Sequence, residues 1–193
     1  MKYIISIILI FNISVVNANE IFNLLKIPNL EIYNTNNLNG LKYLYAESNF
    51  KIGLKKNISC NKSKKKELDK KYPIVEKNFN KYKADFLIKN NLKFIILCEN
   101  LTVSSINTGG IPNILKRSLI LDINFNQKHF ERMIHHEFFH MIQAKHNMIF
   151  DEDLWSKFNR TSFKYAECST CSDRTDLSIY KNCLLYTSPS PRD

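Results

Sequence analysis

The stretch RSLILDINFNQKHFERMIHHEFFHMIQAK, from Arg117 to Lys145, decides the fold. Its first part, RSLILDINF, is rich in apolar residues and predicts a strand from Arg117 to Phe125. Asn126 can then cap a helix that runs from Gln127 to about Lys145. Apolar residues leave little polar surface on this helix, so we predict that it is buried. These residues are Phe130, Met133, Ile134, Phe138, Met141 and Ile142.

The predicted helix carries the pattern His-Glu-x-x-His at His136, Glu137 and His140. Residues four apart on a helix differ by only about 40° around its axis, so the two imidazoles project from one face and can bind one zinc ion. Zinc lowers the pKa of a bound water to about 7, and Glu137 would take the proton of that water and pass it to a leaving amine. His135 lies about 100° from His136, and we expect it beside the metal site or partly exposed. The alternative is a pair of satisfied or exposed histidines without metal.

Catalytic zinc normally has three protein ligands and one water, so a third ligand is needed. His146 follows His140 at the spacing of the metzincin pattern, but Gln143 occupies the position where glycine lets the helix end. His146 therefore remains one candidate, with an exposed histidine near the helix end as the alternative. Glu167 is the best carboxylate within the chain, and its alternative is a solvated acid.

A segment after the helix carries a resemblance to a known family. IHHEFFHMI followed by DEDLWSKFNRTSFKYAE resembles a family of zinc-binding metallopeptidases found among bacterial exported proteins, in which the His-His-Glu-x-x-His helix precedes a Trp, an Asn and a Phe-x-Tyr. The corresponding residues here are Trp155, Asn159, Phe163 and Tyr165. The resemblance covers about residues 70–166, where Tyr72-Pro73, the apolar strand near Phe94 and Gly109-Gly110 also fit.

The resemblance implies an α+β, zincin-like metalloprotease domain whose mixed sheet packs on a buried His-Glu-x-x-His helix. In such domains an edge strand holds the peptide substrate. It also implies a gluzincin-like acidic third ligand well after the helix, which we expect beyond Asn182. Tyr165 would then donate a hydrogen bond to the developing oxyanion, although a core tyrosine is the alternative.

The two ends of the chain indicate export and an added tail. Lys2 and the apolar run after it, ending in Val16-Asn17-Ala18, predict a signal peptide at residues 1–18, with an uncleaved anchor as the alternative. Residues 183–193, CLLYTSPSPRD, resemble the translation of a transposase adapter used in sequencing libraries, with a natural tail as the alternative. We therefore expect one domain at residues 19–182, secreted, periplasmic or at the cell surface, whose native sequence continues past Asn182. No later segment predicts a stable membrane span.

Cysteine usage fits an exported protein. Without Cys183, four cysteines remain and permit three pairings, of which we favour Cys60 with Cys98 and Cys168 with Cys171. Half a zinc site or a redox pair at Cys168 and Cys171 is the alternative.

The net charge of +10 comes largely from lysines, notably in KSKKKELDKK at residues 62–71. Few aromatic residues interrupt this run, so we expect no binding of nucleic acid. The sequence as a whole predicts an exported zinc peptidase that acts on peptide or protein substrates. The alternatives are a non-catalytic exported binding protein that keeps the helix for structure and a basic surface-binding module that uses the lysine run.

Other elements follow from local patterns. GLKYLYAES predicts a strand at residues 41–47, and LKFIILCENLTVS predicts a buried strand at residues 92–104. Apolar residues from Ile74 to Leu87 recur at helical spacing and predict a helix there, and Pro73 suits its first turn. NTGGIPN, residues 107–113, predicts a turn or loop.

Overall fold

The computed structural model describes residues 29–53, 57–150 and 157. Within them the chain forms eight strands and three helices. The strands are β1 (Leu30–Asn34), β2 (Lys42–Ala46), β3 (Phe50–Ile52), β4 (Ile58–Asn61), β5 (Phe94–Val103), β6 (Ile106–Asn107), β7 (Gly110–Asn113) and β8 (Ser118–Asp122). The helices are α1 (Lys65–Phe79), α2 (Ala84–Lys89) and α3 (Gln127–Lys145). The class is α+β, as the sequence predicts.

The strands form a curled mixed sheet around β5. The first half of β5 runs parallel to β2 on one side and to β8 on the other. β1 is antiparallel to β2 and β7 is antiparallel to β8, which gives the order β1-β2-β5-β8-β7. The second half of β5 pairs instead with β4 and β6, and β4 pairs with β3. β5 thus belongs to both parts of the sheet, and its second half begins a second layer that contains β3, β4 and β6.

Alternate residues of the central strands point into two separate cores. Ile95, Leu97, Leu119 and Leu121 face α1 and α3. Ile96 and its neighbours on the opposite face pack against the layer formed by β3 and β4. In that second core a buried disulfide joins Cys60 to Cys98, the pairing favoured from the sequence, with Cα atoms 5.9 Å apart.

A network of carboxylates fixes where β8 ends and α3 begins. The buried Asp122 carboxylate accepts the backbone N–H groups of Asn100 at 3.1 Å, Leu101 at 3.0 Å and Asn124 at 2.9 Å. Glu99, also buried, accepts the side-chain amide of Asn124 at 3.0 Å. The turn into α3 is therefore tied to the bend of β5 by hydrogen bonds on both sides.

The helix α3 has the predicted bounds, but it is buried along one side and not nearly all round. Its six buried residues are Phe130, Met133, Ile134, Glu137, Phe138 and Met141. The predicted strands around it are also present: β2 and β5 lie inside their predicted ranges. β8 ends three residues early, because the hydrogen bonds to Asp122 turn the chain there.

Two local predictions are wrong. The helix predicted at residues 74–87 is in fact two helices: α1 begins at Lys65 with Pro73 in its interior, and α2 follows as a separate element. The lysine run obscured the start of α1, whose core residues Leu68, Tyr72, Val75 and Phe79 nevertheless recur at helical spacing.

The turn or loop predicted at residues 107–113 contains the strand β7. Pro112 suits an edge strand because it has no N–H to donate to a neighbour. Pairing with β8, which is not visible from local sequence, makes this segment a strand.

Several predicted features lie outside the described residues. They are the signal peptide at residues 1–18, the tail at residues 183–193, and the residues Trp155, Asn159, Phe163, Tyr165, Glu167, Cys168 and Cys171. Among the helices that the structure describes, none combines the length and the apolar character needed to cross a membrane.

Candidate metal centre on helix α3

The structure brings His136 and His140 together at the centre of α3. Their Nε2 atoms are 3.1 Å apart, and the ring planes are nearly perpendicular at 87°. Two imidazole nitrogens bound to one tetrahedral zinc ion at 2.0–2.1 Å lie about 3.3 Å apart. The 3.1 Å separation, at which the two rings share a hydrogen bond, is close to the separation of two imidazole nitrogens on one zinc ion.

Glu137 lies against the edge strand β7. It is 7% exposed, and a Cβ atom on Gly110 would lie 2.5 Å from Glu137 Cγ and 3.2 Å from Glu137 Cδ. A Cβ atom on Gly109 would likewise lie 2.7 Å from Cγ of Met133. The two glycines thus let α3 approach β7 closely enough to bring the Glu137 side chain onto the strand.

The rotation of α3 places the histidine pair beyond this strand. At 100° per residue, His140 and His136 lie about 60° and 100° around the axis from Glu137 in the same direction. Met133, which contacts Gly109, lies in that direction too. The pair therefore faces the space along the edge of β7, while Glu137 faces the strand itself.

That edge presents backbone groups. Asp122 N–H donates to Gly109 C=O at 2.9 Å, and Ile111 is opposite Ile120 in the ladder. Alternation along an antiparallel pair then turns the C=O groups of Gly110 and Pro112 away from β8. Gly110 C=O accepts a hydrogen bond from Thr108 Oγ1 at 3.2 Å. Within the described ranges β7 pairs with β8 alone.

His135 occupies the opposite side of α3, toward α1. Its Nε2 lies 2.9 Å from Asn78 Oδ1, and its Nδ1 lies 2.7 Å from the Tyr82 hydroxyl. Asn78 Nδ2 donates to Ile74 C=O at 2.8 Å, which leaves Asn78 Oδ1 as the acceptor. Because Asn78 Oδ1 can only accept, His135 Nε2 carries a proton and donates to it. Burial lowers the pKa of His135, and the charge of Lys81 lowers it further.

The structure does not bring His146 to the pair. α3 continues through Gln143 to Lys145, and His146 N–H still donates to Ile142 C=O at 3.0 Å. The His146 ring lies against the end of α2, with Nε2 3.1 Å from Asn90 Oδ1. Among the described residues no three His, Cys, Asp or Glu side chains form a group that could hold a metal ion. The other third-ligand candidate, Glu167, and the oxyanion candidate, Tyr165, lie outside those residues.

The lysine run forms the start of α1, and local acids balance much of its charge. Its ion pairs are Lys62–Glu47 at 2.9 Å, Lys65–Asp69 at 2.5 Å and Lys70–Glu67 at 3.0 Å. Lys71 is buried, with Nζ 4.4 Å from the centroid of the Phe130 ring. Most of the run thus lies in the first two turns of a core helix, and its charges are partly neutralised in place.

Comparison with protein-family models, curated proteins and solved structures finds no match to this chain.

Proposed function

We propose that this protein is an exported, zinc-dependent peptidase of zincin-like fold that hydrolyses peptide bonds. The observation that carries the proposal is the 3.1 Å separation of His136 Nε2 and His140 Nε2. Glu137, the residue after His136, packs on the edge strand β7.

The residues divide the chemistry among them. His136 and His140 hold the metal through their Nε2 atoms, which requires both rings to be neutral. Bound zinc supplies a Lewis acid that lowers the pKa of its water to about 7. Glu137 removes the proton of the attacking water and delivers it to the leaving amine.

The edge of β7 is the proposed substrate platform. An extended peptide that adds to this edge forms main-chain hydrogen bonds with the outward C=O groups, such as that of Pro112. The peptide then runs past the face of α3 that carries the histidine pair. The parallel strands β2, β5 and β8, with the antiparallel β7 beside α3, support the zincin-like assignment.

The remaining site residues are proposed from the segment after α3. We place the third, acidic ligand there, at Glu167. Tyr165 is the proposed oxyanion donor.

The test compares the full-length protein with its Glu137→Gln variant. We expect both proteins to bind one zinc ion per chain, measured by elemental analysis after dialysis. Hydrolysis of a peptide library by the variant should fall by at least about 100-fold, because general acid–base catalysis contributes about 10²–10⁴-fold.

Two results would overturn the proposal. A full-length protein without stoichiometric zinc favours the non-catalytic binding protein. Unchanged hydrolysis by Glu137→Gln excludes Glu137 as the base.

A further inference from the structure

The side of α3 that faces α1 is held by directional bonds as well as by apolar packing. Asn78, at the end of α1, is fully buried, and both of its amide atoms are engaged. The Tyr82 ring packs at 5.1 Å from the Phe138 ring and stacks on Phe86 at 5.8 Å. His135 inserts between Asn78 and the Tyr82 hydroxyl with both ring nitrogens bonded.

Packing alone does not require a histidine at this position. Apolar contacts are non-directional, and a phenylalanine would fill similar space without a polar group to satisfy. Two hydrogen bonds to opposite sides of one ring, in contrast, fix both the rotation of α3 about its axis and its distance from α1.

Rotation of α3 matters because the next residue along the chain is His136. A ring nitrogen about 6 Å from the helix axis moves about 2 Å when the helix turns by 20°. His136 and His140 turn together, so such a rotation keeps their own separation. It shifts both rings relative to any metal ligand from another element, and metal sites tolerate deviations of only about 0.2 Å in ligand distance. The same turn would also lift Glu137 from Gly110 or press it against the strand.

We propose that His135, Asn78 and Tyr82 form a positioning device, which sets the rotation of α3 so that His136 and His140 face the edge of β7. The proposal rests on the proposed function in one respect only, namely that the histidine pair binds metal. All three are positioning residues, since they act through the helix and do not touch the metal.

The test uses Tyr82→Phe, which removes one hydroxyl and keeps the aromatic packing. The matched control is Tyr72→Phe on α1. The Tyr72 hydroxyl makes hydrogen bonds with Asn34 and Glu76 at 2.6 Å each, and neither partner belongs to α3. We expect both variants to lower the unfolding midpoint, so stability alone does not distinguish them.

Zinc affinity of the full-length protein, measured by chelator competition, should distinguish the two variants. Residues that orient metal ligands typically contribute 10–100-fold to affinity, and we expect about a tenfold loss in Tyr82→Phe and none in Tyr72→Phe. The visible absorption bands of the cobalt-substituted protein should change only in Tyr82→Phe. Equal affinity and spectra in the two variants would overturn the proposal.

A metal-independent measurement separates this inference from the proposed function. In metal-free protein, proton–proton contacts between Gly110 and the Glu137 side chain, observed by NMR, report the rotation of α3. They should weaken in Tyr82→Phe and persist in Tyr72→Phe. If wild-type protein binds no zinc, the proposed function fails, and these contacts still decide the inference: contacts unchanged in Tyr82→Phe refute it.

Discussion

The two sides of helix α3 use histidine differently. On the side facing α1, the two ring nitrogens of His135 are bonded to Tyr82 and Asn78, partners from a single neighbouring region. On the side facing β7, the Nε2 atoms of His136 and His140 converge on each other. The first arrangement satisfies an imidazole within the protein, and the second brings two imidazoles to a distance that suits a shared cation. Sequence-adjacent histidines thus meet different partners because the helix turns them to different neighbours.

The largest expected effect tests which histidines bind metal. His140→Ala removes one of two converging nitrogens, and we expect zinc affinity to fall by more than 100-fold, beyond the range for residues that only orient ligands. His146→Ala is the matched control from the end of the same helix, and we expect its affinity to match wild type because His146 is bonded to Asn90. Chelator competition measures both. A comparable loss in His146→Ala would make His146 the third ligand.

Removal of the disulfide tests whether the two sides of α3 depend on the layer formed by β3 and β4. Cys60 and Cys98 are 38 residues apart, so replacing both with alanine should lower the free energy of unfolding by up to about 4 kcal/mol. Urea unfolding measures this loss. Zinc affinity of the folded protein should be unchanged, because the disulfide lies in the core opposite α3. A parallel loss of affinity would show that β4 helps to position the metal site.

The sequence predicts α3 and the strands β2, β5 and β8, but not which residues meet across the fold. The spacing of apolar residues predicts the helix, and the His-Glu-x-x-His pattern predicts the histidine pair. Each signal comes from residues that are close together in the chain. The partners of His135 could not be predicted in this way, because Asn78 and Tyr82 lie 57 and 53 residues away. β7 was missed for the same reason: glycine and proline indicate turns locally, and only pairing with β8 makes them a strand. One signal was available, since Gly109-Gly110 before an apolar strand permits a close helix approach.

Variants of Gly109 and Gly110 distinguish the packing of α3 against the sheet from the placement of Glu137. An added Cβ lies 2.5 Å from Glu137 Cγ in Gly110→Ala and 2.7 Å from Met133 Cγ in Gly109→Ala. Both variants should lose about 1–3 kcal/mol of stability, typical of overpacking. Only Gly110→Ala should also lower kcat, by about tenfold with zinc retained, because a barrier increase of 1.4 kcal/mol is sufficient. Equal kcat losses in the two variants would show that Glu137 is not positioned by Gly110.

The smallest effect is expected on the solvent side of α1, which contacts neither His135 nor the histidine pair. Lys65 pairs with Asp69 in an exposed salt bridge, and its side chain is 71% exposed. Exposed pairs of this kind contribute little, so Lys65→Ala should leave both the unfolding midpoint and zinc affinity unchanged. Salt elution from heparin provides the second measurement: the basic surface-binding module requires strong retention at physiological ionic strength that weakens on replacing Lys65 and Lys70. Weak retention by wild type would instead count against the basic surface-binding module, as expected if the ion pairs of Lys62, Lys65 and Lys70 neutralise part of the charge.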